Sequence, residues 1–189
     1  SVTVNMQQYA EDMTEVEISA ERRRMKDDAL SEIELSQFRG VLGCLQWFAG
    51  RGAPGLSFET SLLQSRVKEA TVSDLMQANK LVRKAKSLGS WRLTFHSIPL
   101  KTGAWIACSD AAWANRPDNA SQAGAVVMFA DRCVLEGCLG RVSVLEWSSR
   151  KIKRVVRSSL AAEAHGVSLT LDAGAWLRVL WASLLSGTS

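Results

Sequence analysis

Histidine is scarce in this chain. His96 and His165 are its only two, and they stand at no ligand spacing. The four cysteines, Cys44, Cys108, Cys133 and Cys138, form no Cys-x-x-Cys pair. Structural zinc centres draw on clustered cysteine and histidine, so no zinc site is expected. Reduced, buried thiols in an intracellular protein are the simpler reading. No apolar run approaches the roughly 20 residues that a membrane helix needs, and no signal peptide is read, so no membrane partner is expected. Charge of one sign is not in large excess. The net charge is +4 and the isoelectric point lies near 9.0, a balance compatible with nucleic acid but not diagnostic of it.

What is present is enough for a folded protein. The 189 residues allow one large domain or two small ones, and 47% hydrophobic residues can supply a sizeable core. A charged fraction of 22% argues against disorder. The chain opens on Ser1 and closes just after a helical pattern, and both ends read as cuts in a larger polypeptide.

The first half reads as helical. Val2-Thr3-Val4 looks like the tail of a strand, and residues 7–29, dense in mixed charge, read as a linker or a solvated helix. Ser31 with Glu34 fits a capping box, and Ile33, Phe38, Val41, Leu42, Leu45 and Phe48 follow at mostly helical spacing. The segment 50–55, rich in glycine and containing Pro54, breaks the chain. A second helix is expected over about 57–67. A third has Ser73 as its N-cap, points Leu75, Ala78, Leu81, Val82 and Ala85 inward, and stops at Gly89.

The pattern changes at Ser90. Short alternating or apolar runs at 91–95, 104–109, 123–129 and 142–147 read as strands, and a helix follows over about 156–185. That helix is apolar almost all round, which implies burial on more than one side. The fold class is therefore α/β, with helical residues 1–89 followed by residues 90–189 carrying three main strands and a long helix.

Asp110 ends the apolar run Ala104 to Cys108 and opens a polar stretch. A carboxylate at the mouth of a strand suits a divalent metal, but an Asx-type turn explains it equally well on the residues alone. Glu163 lies among Ala161, Ala162 and Ala164 on the long helix, where an unpaired buried carboxylate would cost several kcal/mol or so. Asp172 is no companion for it. Nine residues on is about 900° around a helix, the opposite face and roughly 13 Å along the axis. Asp118 and Glu136 read as loop residues. The basic run Arg150, Lys151, Lys153, Arg154 and Arg157 joins the last strand to the helix. It reads either as a solvated connection or as a contact to phosphates. Trp113 and Trp147 read as packing residues rather than base stackers.

Four features follow in order: Ser109-Asp110 with Trp113 three residues on, a glycine-containing apolar strand, Glu146-Trp147-Ser148-Ser149-Arg150-Lys151, and Arg157-Ser158-Ser159-Leu160-Ala161-Ala162-Glu163-Ala164 leading to Trp176-Leu177-Arg178. This order resembles the ribonuclease H domain of copia-type LTR-retrotransposon Pol polyproteins. There the motifs read Ser-Asp-Ala-Asp-Trp-Ala, Trp-Ser-Ser-Lys-Lys, and Ser-Ser-Thr-Glu-Ala-Glu running on to Trp-Leu-Arg. Leu35-Ser36-Gln37-Phe38-Arg39-Gly40-Val41-Leu42-Gly43 resembles the Tyr-Arg-x-x-Val-Gly-x-Leu segment of the same polyproteins. Residues 56–88 resemble the helices joining reverse transcriptase to ribonuclease H.

The resemblance implies a reverse-transcriptase connection over 1–89 and a C-terminally truncated, partial ribonuclease H-like domain over 90–189. It implies Asp110 and Glu163 as catalytic ligands of Mg²⁺ or Mn²⁺, hydrolysis of RNA in an RNA–DNA hybrid, and the remainder of the Pol polyprotein as partner. It also implies an intracellular setting, cytoplasm or nucleus. The family's third acid lies on a later strand, so this fragment is expected to be incomplete and inactive alone. The chain departs from the family at Ala112, Ala161 and Ala164, where the family has Asp, Glu and Tyr, which suggests a divergent copy. The rival expectation is a non-catalytic remnant that binds nucleic acid or protein.

Overall fold

A computed structural model describes residues 1–116 and 118–187. The chain divides into two compact units, one formed by Val4–Leu93 and the other by Ser1–Thr3 with Thr94–Ser189. The strands β1 (Val2–Asn5) and β2 (Arg92–Phe95) pair as a small two-stranded sheet.

The first unit is helical: α1 (Gln7–Asp12), α2 (Glu32–Arg51), α3 (Ser57–Ser65) and α4 (Val72–Ser87). The capping box that opens α2 is formed as the sequence predicts. Glu34 N–H donates to Ser31 Oγ at 3.3 Å, and Ser31 N–H donates to Glu34 Oε2 at 2.8 Å. Arg22 adds a charge-assisted bond from Nε to Glu34 Oε1 at 2.9 Å. That guanidinium, chiefly, holds the Glu34 carboxyl at about 2, well below the usual 4.5. Phe38, Leu42, Leu45 and Phe48 recur every three or four residues and face the interior with Leu75, Ala78, Val82 and Ala85 of α4. Ile33 does not join them and is exposed, because it lies in the first turn of α2 off that stripe.

Two expectations for this unit need correction. The cap of α4 is Thr71, not Ser73; Asp74 closes a capping box on Thr71, accepting from its N–H at 3.0 Å. Asp74 is buried, and Arg66 Nε reaches its other oxygen at 3.0 Å, so the charge is compensated where it is desolvated. Nor is 7–29 a linker: of the two expected readings, a solvated helix is found over Gln7–Asp12, where only Ala10 is buried, and the rest is packed chain. Ala10, Met13, Val16 and Ile18 are buried in the core. Val16 is tied to Asn79 by a reciprocal pair, its N–H to Oδ1 at 2.9 Å and its carbonyl to Nδ2–H at 2.8 Å. The charges that dominate this segment hide three buried apolar residues, Met13, Val16 and Ile18, of which Val16 is bonded to Asn79 of α4.

The second unit carries an antiparallel meander, β3 (Gly103–Ala112), β4 (Gln122–Asp131) and β5 (Val142–Lys151), in the order β3-β4-β5. The helix α5 (Ser159–Ser186) follows. The molecule is thus mixed α/β, with three antiparallel strands and a long helix as expected, and each strand runs longer than its apolar run. Trp105, Phe129 and Trp181 form an aromatic cluster between sheet and helix. Gly103 makes room for it, since a Cβ there would stand 2.2 Å from Phe129 Cζ. Elsewhere the interface is built of small residues, with Ala123 and Ala162 buried together beside Ile152.

The expected burial of α5 on more than one side is not found. Ala162, Gly166 and Thr170, spaced four apart, face the sheet, whereas Leu160, Val167, Leu171 and Val179 are exposed. A single sheet layer can cover only one stripe of a helix. The expectation of buried thiols also fails: Cys44, Cys108 and Cys138 are exposed and Cys133 is half-buried. Among the described residues no helix is long and apolar enough to cross a membrane.

Candidate nucleic-acid interface

Asp110 is not at the mouth of its strand but two residues inside the end of β3, paired with Gly124, which pairs in turn with Ser149 of β5. Side chains alternate across a sheet, so the face each row presents follows from its neighbours. Ala111 packs with Ala123 and Ala162, and a Cβ on Gly166 would meet the Cβ atoms of Ser109 and Ala111 at 3.7 and 3.6 Å. Ser109 and Ala111 therefore face α5, and Asp110 faces the other way, exposed.

Glu163 is half-buried on α5, three residues before Gly166 and hence about 60° off the line of closest approach. The two carboxylates stand on opposite sides of β3. To share a cation, Glu163 would have to reach round the outer edge of that strand, an edge with no partner strand among the described residues. Asp172 is exposed half a turn of azimuth away from Glu163, and Glu136 is exposed in a short 3-10 turn over Arg132–Glu136. Among the described residues no group of three or more metal-ligating side chains is gathered. Asp110 and Glu163 are the carboxylates that would hold a divalent cation, and no third ligand is gathered with them among the described residues.

The basic run lies on the end of β5 and the connection that follows it. Arg150 and Lys151 end β5, while Lys153, Arg154 and Arg157 lie on the connection to α5, and all five are exposed. Lys151 is engaged: its Nζ bonds the Asp118 carboxylate, and this contact is the main cause of the lowered Asp118 pKa. Arg150, Lys153, Arg154 and Arg157 form no ion pair among the described residues. The same place holds the start of α5, where Ser158 Oγ accepts from Ala161 N–H at 3.1 Å and the first turn has no acidic residue. The helix dipole thus adds to the positive field.

The loop after β3 borders this connection. Trp113 donates its Nε1–H to the Val156 carbonyl at 3.1 Å, which fixes the loop to the basic segment. Ala114, at φ 49°, turns the chain, and its N–H donates to Ser121 Oγ at 3.0 Å. Behind it the Arg116 guanidinium is buried and donates to Gln122 Oε1, and Gln122 Nε2 donates to Ser149 Oγ at 2.8 Å. Sequence reading missed this support. Arg116 and Gln122 carry no motif, and only the fold shows that an arginine in a polar loop is inside.

The chain is similar to a stretch of the retrovirus-related Pol polyprotein from transposon RE1 of Arabidopsis thaliana, 28% identical over 145 residues. The match covers 75% of this chain and 9% of that protein, so the chain spans a small part of the relative's length. No protein-family profile matches, and no solved structure matches.

Proposed function

We propose that this chain is a nucleic-acid-binding segment of a retrotransposon-type Pol polyprotein, and that the β5–α5 connection contacts the phosphates of an RNA–DNA hybrid. One observation carries the reading: Arg150, Lys153, Arg154 and Arg157 are exposed, form no ion pair among the described residues, and lie on the end of β5 and the connection leading into the N-terminus of a long helix. The similarity to the RE1 Pol polyprotein supports it. The rest of such a polyprotein would be the natural partner, in an intracellular setting.

Binding through phosphates releases counterions, so affinity should fall steeply with salt. Anisotropy of a labelled hybrid, measured across salt concentrations, tests this. Arg154→Ala and Arg157→Ala should each weaken binding and lower the salt slope by roughly one. Affinity indifferent to salt would sink the reading.

A second reading is hydrolysis of the RNA strand by a ribonuclease H-like domain with Asp110 and Glu163 as ligands. The motif order favours it, as does the exposure of Asp110 on an edge strand. It requires Glu163 to come round that edge to meet Asp110. Mg²⁺- or Mn²⁺-dependent cleavage of a hybrid, abolished in both Asp110→Asn and Glu163→Gln, would establish it. Binding without cleavage would leave the first reading standing alone.

A further inference from the structure

We infer that Trp113 is a stacking platform for an unpaired nucleobase, set beside the phosphate-contacting β5–α5 connection. The inference rests on the phosphate contacts proposed above and extends them from the paired hybrid to an unpaired strand beside it.

Trp113 is 50% exposed, yet its orientation is fixed. Its Nε1–H is held by the Val156 carbonyl, one residue from Arg157 and two from Arg154. The backbone behind it is also held. Ala114 sits in the left-handed region that side chains rarely adopt, and Ser121 and the buried Arg116 support the loop. The anchored indole presents its open half in one orientation, as a stacking surface requires.

The other tryptophans with described surroundings differ. Trp47 has the Arg51 guanidinium over its ring at 5.0 Å. Trp105 and Trp181 are engaged with each other and with Phe129. Trp91 and Trp176 are similarly exposed, but among the described residues no hydrogen bond fixes either indole. On Trp113 no ring or guanidinium is stacked among the described residues.

The neighbours say what the ring takes. Lys153, Arg154 and Arg157 flank Val156 in the chain and call for an anion, while the indole calls for a flat, uncharged partner. A nucleotide in a single strand brings both together, its base on the aromatic face and its phosphate at the cations. Every base has such a face, so the site is expected to be tolerant of sequence.

The test uses the full chain and two labelled single strands of equal length, an oligothymidylate and an abasic strand with the same number of phosphates. Trp113→Ala and Trp113→Leu should each weaken oligothymidylate binding by about tenfold, within the roughly 5- to 100-fold that stacking supports. Binding of the abasic strand should be unchanged, and Trp113→Phe, which keeps a ring but loses the Nε1–H anchor, should lose less than Trp113→Leu on oligothymidylate. The leucine and phenylalanine variants retain bulk, so a general loss of fold is separated from loss of the stack. Equal losses on both strands, or no loss on oligothymidylate, overturn the proposal. Hybrid binding that is insensitive to salt and to Arg154→Ala overturns the underlying phosphate reading, and the stacking proposal with it.

Discussion

The helical unit is packed with large side chains, the sheet unit with small ones. Phe38, Phe48, Leu45, Leu56 and Leu75 are fully buried in the first, and the tie of Val16 to Asn79 closes its polar groups. In the second, Ala123, Ala125, Ala130 and Ala162 do much of the filling, and the outer stripe of the long helix carries Leu160, Val167 and Leu171 in the open. The two units hold similar lengths of chain, so the difference lies in layers. Four helices can surround one another, but a helix on a single three-stranded sheet leaves half its surface uncovered. The exposed basic run and the half-exposed Trp113 lie in the less enclosed unit.

Core truncation tests this contrast most strongly. Phe38→Ala should cost about 3–5 kcal/mol and Val127→Ala roughly 2, read as shifts in denaturant midpoint at constant slope. Equal losses would erase the distinction between the two interiors. Within the sheet unit, glycines should divide by what stands over them. Gly103→Ala drives a methyl into the Phe129 ring and should cost about 1–3 kcal/mol. Gly166→Ala meets its neighbours at 3.5 Å or more and should be neutral, or stabilise by up to about 1 kcal/mol through helix propensity. A harmless Gly103→Ala would mean that the aromatic cluster is loose.

Acid sharpens the comparison from the other side. Glu34 titrates at about 2 in the folded protein against a usual 4.5, so its contribution is full above about pH 4.5 and is lost as pH falls toward 2. Glu34→Gln should flatten that part of the acid-unfolding curve of the helical unit, followed by helical circular dichroism. An unchanged curve would mean that the Arg22 contact does not persist in solution. The smallest effect belongs to the bare stripe. Leu171→Lys should change stability by no more than about 0.5 kcal/mol, because its side chain, 61% exposed, has little contact to lose. A larger loss in the melting midpoint would show that something covers α5.

Where period and punctuation agreed, the sequence was readable. Ser31 and Glu34 announced the start of α2, and the inward residues of α4 were legible from their spacing. The errors came where one signal masked another. Charge hid the apolar positions of residues 13–18, and Ser73 looked like a cap although Thr71 with Asp74 makes the better one. The strand containing Asp110 was legible, but its end was misplaced because Ala111 and Ala112 continue the ladder past a polar pair. The candidate site was legible as residue types in order. Its geometry was not, since one residue of register decides which face of a sheet a carboxylate occupies.

By itself the sequence determined the elements, the basic run and the likeness to a Pol polyprotein, because these depend on local spacing. Tertiary structure alone decided that Asp110 turns away from α5, that Lys151 is occupied by Asp118, and that Trp113 is held half-exposed at the cations. Those outcomes depend on contacts between residues distant in the chain: a strand register, a loop folded back on a buried arginine, and an indole N–H that finds a carbonyl 43 residues away.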